Sequence, residues 1–162
     1  MARILIIGGG RRGLHLTRTL TTAGHAVRAT TRSEQRREVI SEAGAECWIG
    51  TPERLATLRG ALENVTVVCW LLGRATGTEE QIQQLHTSRL EFFLSQIVDS
   101  TVRGFIYEAP SRSQTEGLGT RGREIVQRLT CTNSIPCRVI EADEDEHEWL
   151  AGAQAAIASL LG

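Results

Sequence analysis

Short apolar runs alternate along the whole chain with stretches in which apolar residues recur every three or four positions. The runs Ile4 to Ile7, Ala26 to Thr31, Glu46 to Ile49, Val65 to Leu72, Gly104 to Tyr107 and Cys137 to Glu141 have strand length and strand composition. The fourth is the most apolar and reads as a strand buried on both faces. Between them the period changes to that of helices. One runs from Arg12 to Ala23 and stops at Gly24, where a left-handed cap is favoured. A second runs from about Ser33, a good N-cap, to Ala43. Thr51-Pro52 opens a third, with Thr as cap and Pro in the first helical position. Thr78-Glu79-Glu80-Gln81 is a capping box, expected to start one long helix reaching about Val102. Ala109 to Gly117 reads as an irregular loop. The last two helices cover about Thr120 to Cys131 and Glu146 to Leu161. Strands separated by helices imply parallel β-α-β units with right-handed crossovers. The expectation is one α/β domain over residues 1–162: a single doubly wound parallel sheet, six strands in order 3-2-1-4-5-6, with helices on both faces. That arrangement leaves no residues over for a separate substrate domain.

The first strand runs directly into Gly8-Gly9-Gly10-Arg11-Arg12-Gly13, a G-x-G-x-x-G turn that opens a helix within a unit of about 30 residues. This is the context of a Rossmann dinucleotide site. Gly8 allows the tight turn, Gly10 lets the backbone approach a pyrophosphate, and Gly13 lets the helix lie close to the sheet. The helix start supplies unpaired N–H groups and a partial positive charge. Arg11 and Arg12 add charge suited to an anion, or are simply solvated. A turn kept for packing alone is the alternative.

Cofactor preference is read at the end of the second strand. An NAD-binding domain places Asp or Glu about 20 residues past the turn to bond the ribose 2′-hydroxyl. Here the segment is Ala29-Thr30-Thr31-Arg32-Ser33, with no acid before Glu34. Arg32 suits a 2′-phosphate, and Thr31 and Ser33 can donate hydroxyl hydrogen bonds to it. Arg36 and Arg37 either assist or line a solvated face. NADP(H) is therefore expected over NAD(H), with NAD(H) still possible.

The order I-L-I-I-G-G-G-x-x-G, G-H-A-V-R-A-T-T-R, G-A-E-C-W-I-G-T and V-T-V-V-C-W-L-L-G resembles the atypical short-chain dehydrogenase/reductase proteins, including the NmrA-like and epimerase-like NAD(P)-binding proteins. The likeness covers roughly residues 1 to 141. It implies that Leu71-Leu72-Gly73, at the end of the fourth strand, lies along the adenine ribose and pyrophosphate. The family's Gly-Asp at the end of strand three is here Gly50-Thr51, and its Arg-Pro-Gly at the end of strand six is Glu141-Ala142-Asp143. Its Tyr-x-x-x-Lys segment has no counterpart, because the chain contains no Lys and its one Tyr, Tyr107, lies within the fifth strand. In those enzymes the Lys holds the nicotinamide ribose and lowers the Tyr pKa; an unaided phenol, near pKa 10, is a poor acid–base group. A guanidinium such as Arg121 or Arg123 supplies charge but does not deprotonate. No residue is assigned a catalytic role.

Three uses of the cofactor compete: a sensor or regulatory module of the NmrA-like kind, an NADPH-dependent reductase or epimerase-like oxidoreductase, and a dimerising domain with a vestigial cofactor site. The missing Lys favours the first. Arg74 and Arg112, with Ser111 and Ser113, follow strands four and five and would border a small-molecule ligand.

Composition narrows the rest. The net charge of -1, with 41% hydrophobic and 23% charged residues, gives no footprint of nucleic acid. No apolar run nears the roughly 20 residues of a membrane span, and the N-terminal run lacks the features of a signal peptide. Cys47, Cys69, Cys131 and Cys137 have no C-x-x-C spacing, and a reducing cytoplasmic location is expected. The acidic run from Glu141 to Glu148 around His147 is read as opening a helix rather than as a metal site. His15, His25 and His86 lack ligand spacing and are read as structural or surface residues. A homodimer is possible.

Overall fold

The structure, a computed structural model, describes residues 2–111 and 117–162. Its strands are β1 (Arg3–Gly8), β2 (Ala26–Thr31), β3 (Glu46–Ile49), β4 (Val67–Leu71), β5 (Gly104–Ala109) and β6 (Cys137–Glu141). All neighbouring pairs are parallel, in the order β3-β2-β1-β4-β5-β6, as the sequence predicts. The helices are α1 (Gly10–Thr22), α2 (Arg37–Glu42), α3 (Glu79–Leu85), α4 (Ser88–Ile97), α5 (Leu118–Asn133) and α6 (Glu146–Leu161).

Side chains alternate across a strand, so each apolar run feeds two cores. Leu5, Ile7, Val68, Trp70, Phe105 and Tyr107 face α4 and α5, packing with Leu90, Phe93, Ile125 and Val126. Ile4, Ile6, Val27, Cys69, Leu71 and Ile106 face α1 and α6, packing with Leu16, Leu20, Trp149, Ala153 and Ile157. Burial on both faces explains why β1 and β4 read as continuous apolar runs.

Three predicted helices change form. The one expected from Ser33 begins as a 3₁₀ turn, Glu34–Arg36, and Ser33 makes no side-chain cap bond. In place of a helix after Thr51-Pro52 there are two 3₁₀ segments, Leu55–Leu58 and Gly60–Leu62. The Thr57 hydroxyl bonds Thr51 N–H and donates to Arg54 O, while Trp48 Nε1 donates to Thr57 O. Those local bonds take backbone groups that a helix would need. The long helix breaks at His86 and Thr87 into α3 and α4, because the His86 ring is drawn inward to bond Leu72 O and Tyr107. Its capping box forms as predicted: Gln81 N–H donates to Thr78 Oγ1 at 3.1 Å, and Thr78 N–H to Gln81 Oε1 at 2.9 Å. Asp145 caps α6, with Glu146 and Glu148 in its first turn, which accounts for the acidic run. Among the described residues no group of three His, Cys, Asp or Glu is placed to hold a metal, and no helix is long and apolar enough to cross a membrane.

Candidate dinucleotide site

The C-terminal ends of β1, β2 and β4 open into a cleft with a cavity volume of about 680 Å³. Parallel strands place their ends on one side, and the change of chain direction between β1 and β4 separates the crossovers and leaves a crevice there. The glycine turn forms its floor. Gly8, Gly9 and Gly10 all have positive φ, from +52° to +88°, a backbone open to glycine at little cost. A Cβ on Gly13 would stand 2.7 Å from the Gly8 carbonyl oxygen, so Gly13 is what lets α1 start against β1. A Cβ on Gly10 would meet no atom within 4 Å: that position faces open cleft. α1 starts at Gly10, two residues before the predicted start, and Gly9 provides no side-chain cap. Its first N–H groups therefore face the cleft with the positive end of the helix.

Of the residues singled out by sequence, Gly8, Gly10, Arg11, Arg12, Gly13, Thr31, Arg32, Ser33, Leu71 and Leu72 all line this one cleft, together with Arg36, Arg74, Thr51 and Pro52. Gly73 does not. Its N–H donates to Glu108 Oε1 at 2.8 Å and its carbonyl accepts from Ser111 N–H, which folds it into the β4–β5 junction. Arg37 also turns elsewhere, into a two-bond ion pair with Glu34, which holds the exposed Glu34 carboxyl below its ordinary range. Arg112 and Ser113 lie outside the described residues.

The two arginines of the turn have partners on the far side. Arg11 pairs with Glu146 at 3.2 Å. Arg12 donates to Ala142 O at 3.4 Å, and its guanidinium lies over the Trp149 ring, 5.7 Å from the centroid. They tie the glycine turn to α6 while still lining the cleft. At the other end, Arg32 pairs with Glu53, from the turn after β3. No carboxylate from β2 itself faces the cleft.

Sequence reasoning missed Glu108. It is buried at the end of β5 yet lines the cleft, and both oxygens accept hydrogen bonds, from Gly73 N–H and from Trp149 Nε1–H at 2.7 Å. Burial holds its pKa above the usual carboxylate range, against the pull of those donors and of Arg12 and Arg74. The signal was an acid inside an otherwise apolar strand.

Tyr107 is fully buried, and its hydroxyl lies 2.7 Å from His86 Nδ1. His86 Nε2 lies 3.2 Å from Leu72 O, which only accepts. Nε2 therefore carries the hydrogen, and Tyr107 donates to Nδ1 of a neutral ring. Burial lowers the His86 pKa to about 4 and raises that of Tyr107. Gly122 on α5 leaves room for the hydroxyl; a Cβ there would overlap it. The single phenol is thus committed to an internal chain of bonds under β4 and does not reach the cleft.

A family model described as NAD(P)H-binding matches residues 8–104. Among curated proteins none matches the chain in sequence. Solved structures that share the fold include a short-chain dehydrogenase/reductase superfamily protein from Agrobacterium tumefaciens with bound NAD, 19% identical over 98% of this chain with a TM-score of 0.70. A UDP-glucuronic acid 4-epimerase from Bacillus cereus in complex with NAD is 14% identical over 86%, with a TM-score of 0.67. Vestitone reductase from alfalfa is 16% identical over 86%, with a TM-score of 0.62. The chain spans 61%, 55% and 56% of those three proteins respectively.

Proposed function

The chain belongs to the NAD(P)H-binding family, and on that premise we propose that it binds NADP(H) in preference to NAD(H) and acts as a cofactor-binding sensor or regulatory module. The observation that carries the preference is the rim at the end of β2. Thr31, Arg32, Ser33 and Arg36 line it, and β2 contributes no acid. Arg36 has no ion-pair partner among the described residues. A 2′-phosphate placed there meets two guanidinium groups and two hydroxyls, where a ribose diol would find no carboxylate from β2 to accept its hydrogens. The residues for the rest of the cofactor would be Gly8, Gly10 and Gly13 with the start of α1 at the pyrophosphate, and Leu71 and Leu72 along the ribose. Bound nicotinamide would supply hydride chemistry; this chain's residues bind and orient it.

The sensor reading is supported by the acid–base inventory. The chain has no Lys, and the hydroxyl of its one Tyr is bonded to His86 inside the core. Glu108 is the one acid among the described residues that line the cleft, and both its oxygens are engaged by backbone and indole N–H groups. A reductase is the second reading, favoured by the continuation of the cleft past β4 to Arg74, Ala75, Thr76 and Glu108, where a nicotinamide half and a small ligand would have space. Titration of NADPH and NADH by calorimetry on the wild type and Arg32→Ala tests the first claim. Loss of a charge-assisted contact of about 1.5–3 kcal/mol should weaken NADPH roughly ten- to a hundredfold and leave NADH nearly unchanged. Equal losses, or tighter NADH binding by the wild type, would overturn it.

A further inference from the structure

The turn after β3 brings an acid to the rim that β2 does not provide. Gly50 N–H donates to Thr31 O at 2.9 Å, tying the end of β3 to the end of β2. Thr51 N–H is taken by the Thr57 hydroxyl, and Arg54 N–H donates back to Thr51 O. From α4, Arg89 Nη1 donates to the carbonyls of Pro52 at 3.2 Å and Glu53 at 2.7 Å. Glu53 is therefore presented by a braced turn, directly after Pro52, which lines the cleft. Its carboxylate pairs with the Arg32 guanidinium, and both side chains are partly solvated, at 65% exposure for Arg32 and 36% for Glu53.

We propose that Glu53 is a specificity-determining residue of the dinucleotide site, which holds the Arg32 guanidinium and must release it when a cofactor bearing a 2′-phosphate binds. This rests on Arg32 being the 2′-phosphate residue. A phosphate dianion and the Glu53 carboxylate compete for one cation, and the phosphate wins because it offers more charge and several acceptor oxygens. Glu53 leaves a 2′-hydroxyl cofactor untouched, since such a cofactor does not call on Arg32. Its effect is to narrow the margin of NADPH over NADH while keeping the rim's charge balanced.

The test is a thermodynamic cycle by calorimetry on wild type, Glu53→Gln, Arg32→Ala and the double variant, each titrated with NADPH, NADH, 2′,5′-ADP and 5′-AMP. Exposed ion pairs are worth up to about fivefold in an equilibrium constant, so Glu53→Gln should tighten NADPH and 2′,5′-ADP by about three- to fivefold. NADH and 5′-AMP should stay within about twofold. Without Arg32 the gain should vanish. If Arg32→Ala weakens NADPH selectively but Glu53→Gln leaves it unchanged, the role of Glu53 falls and the cofactor preference stands. A gain that persists in the Arg32→Ala background also overturns it, since that is repulsion without competition. If Arg32→Ala leaves NADPH untouched, the cofactor preference itself fails, and the role of Glu53 with it.

Discussion

Replacing His86 by Gln should turn a pH-dependent contribution to stability into a constant one. In the folded chain the His86 ring is fully buried between Leu72 O and the Tyr107 hydroxyl. Burial lowers its pKa from 6.5 to about 4. Protonating it in the folded state is then about 3 kcal/mol harder than in the unfolded chain. The unfolded chain binds the extra proton first, so the stability linked to neutral His86 is complete above pH 6.5 and is lost as pH falls toward 4. Between pH 7 and pH 5 that loss is about 2 kcal/mol. Glu108 works in the opposite sense. Its pKa is raised in the folded state, so its contribution is lost as pH rises, but it is present in both proteins and cancels in their difference. Gln at position 86 cannot titrate and cannot serve both partners in the same geometry. At pH 7 it should cost about 1–3 kcal/mol for each polar group left without a partner. Urea unfolding at both pH values measures the gap between the two proteins. The gap should be largest at pH 7 and shrink by about 2 kcal/mol at pH 5. A gap that did not change with pH would refute the assignment of a neutral, buried His86 donating to Leu72.

Other expectations follow from the same geometry. Gly10→Val faces open cleft, so it should abolish dinucleotide binding measured by calorimetry while costing only the strain of positive φ, on the order of 1–2 kcal/mol; wild-type affinity in the folded variant would make the turn purely structural. Gly13→Ala should lower the thermal midpoint as well as affinity, since its Cβ would press on the Gly8 carbonyl oxygen at 2.7 Å; an unchanged midpoint would refute the close packing of α1 on β1. Glu108→Leu strands Gly73 N–H and Trp149 Nε1–H and should destabilise the fold by about 1–3 kcal/mol per donor in urea titrations. Steady-state assays with NADPH and a panel of carbonyl acceptors should show little turnover, because Tyr107 does not reach the cleft; a kcat near the enzyme median of about 10 s⁻¹ would overturn the sensor reading.

The order of the sheet, the two cores and the glycine turn were legible in the amino-acid sequence, because each is written in local signals. Period two against period 3.6 separates strand from helix. Gly8, Gly9 and Gly10 at the positive-φ positions mark the turn, and Thr78 with Gln81 marks a helix start. Ten of the eleven candidate site residues meet in one cleft for the same reason: the topology of parallel strands puts their C-terminal ends together. The polar pairings that cross between elements were not legible, since each joins residues distant in sequence. Arg28 reads as a charge in a strand, but it reaches across the sheet edge to Glu46 and the carbonyls of Ala61 and Glu63. His86 interrupts a helix that its own sequence would continue: the chain leaves the helix at His86 and Thr87 and resumes it at Ser88, with the ring turned inward to Leu72 and Tyr107. Arg32 acquires Glu53 only when β3 lies beside β2. Periodicity records which face of an element is buried; which polar groups meet there depends on where the elements stop and turn, and that is decided by packing in three dimensions.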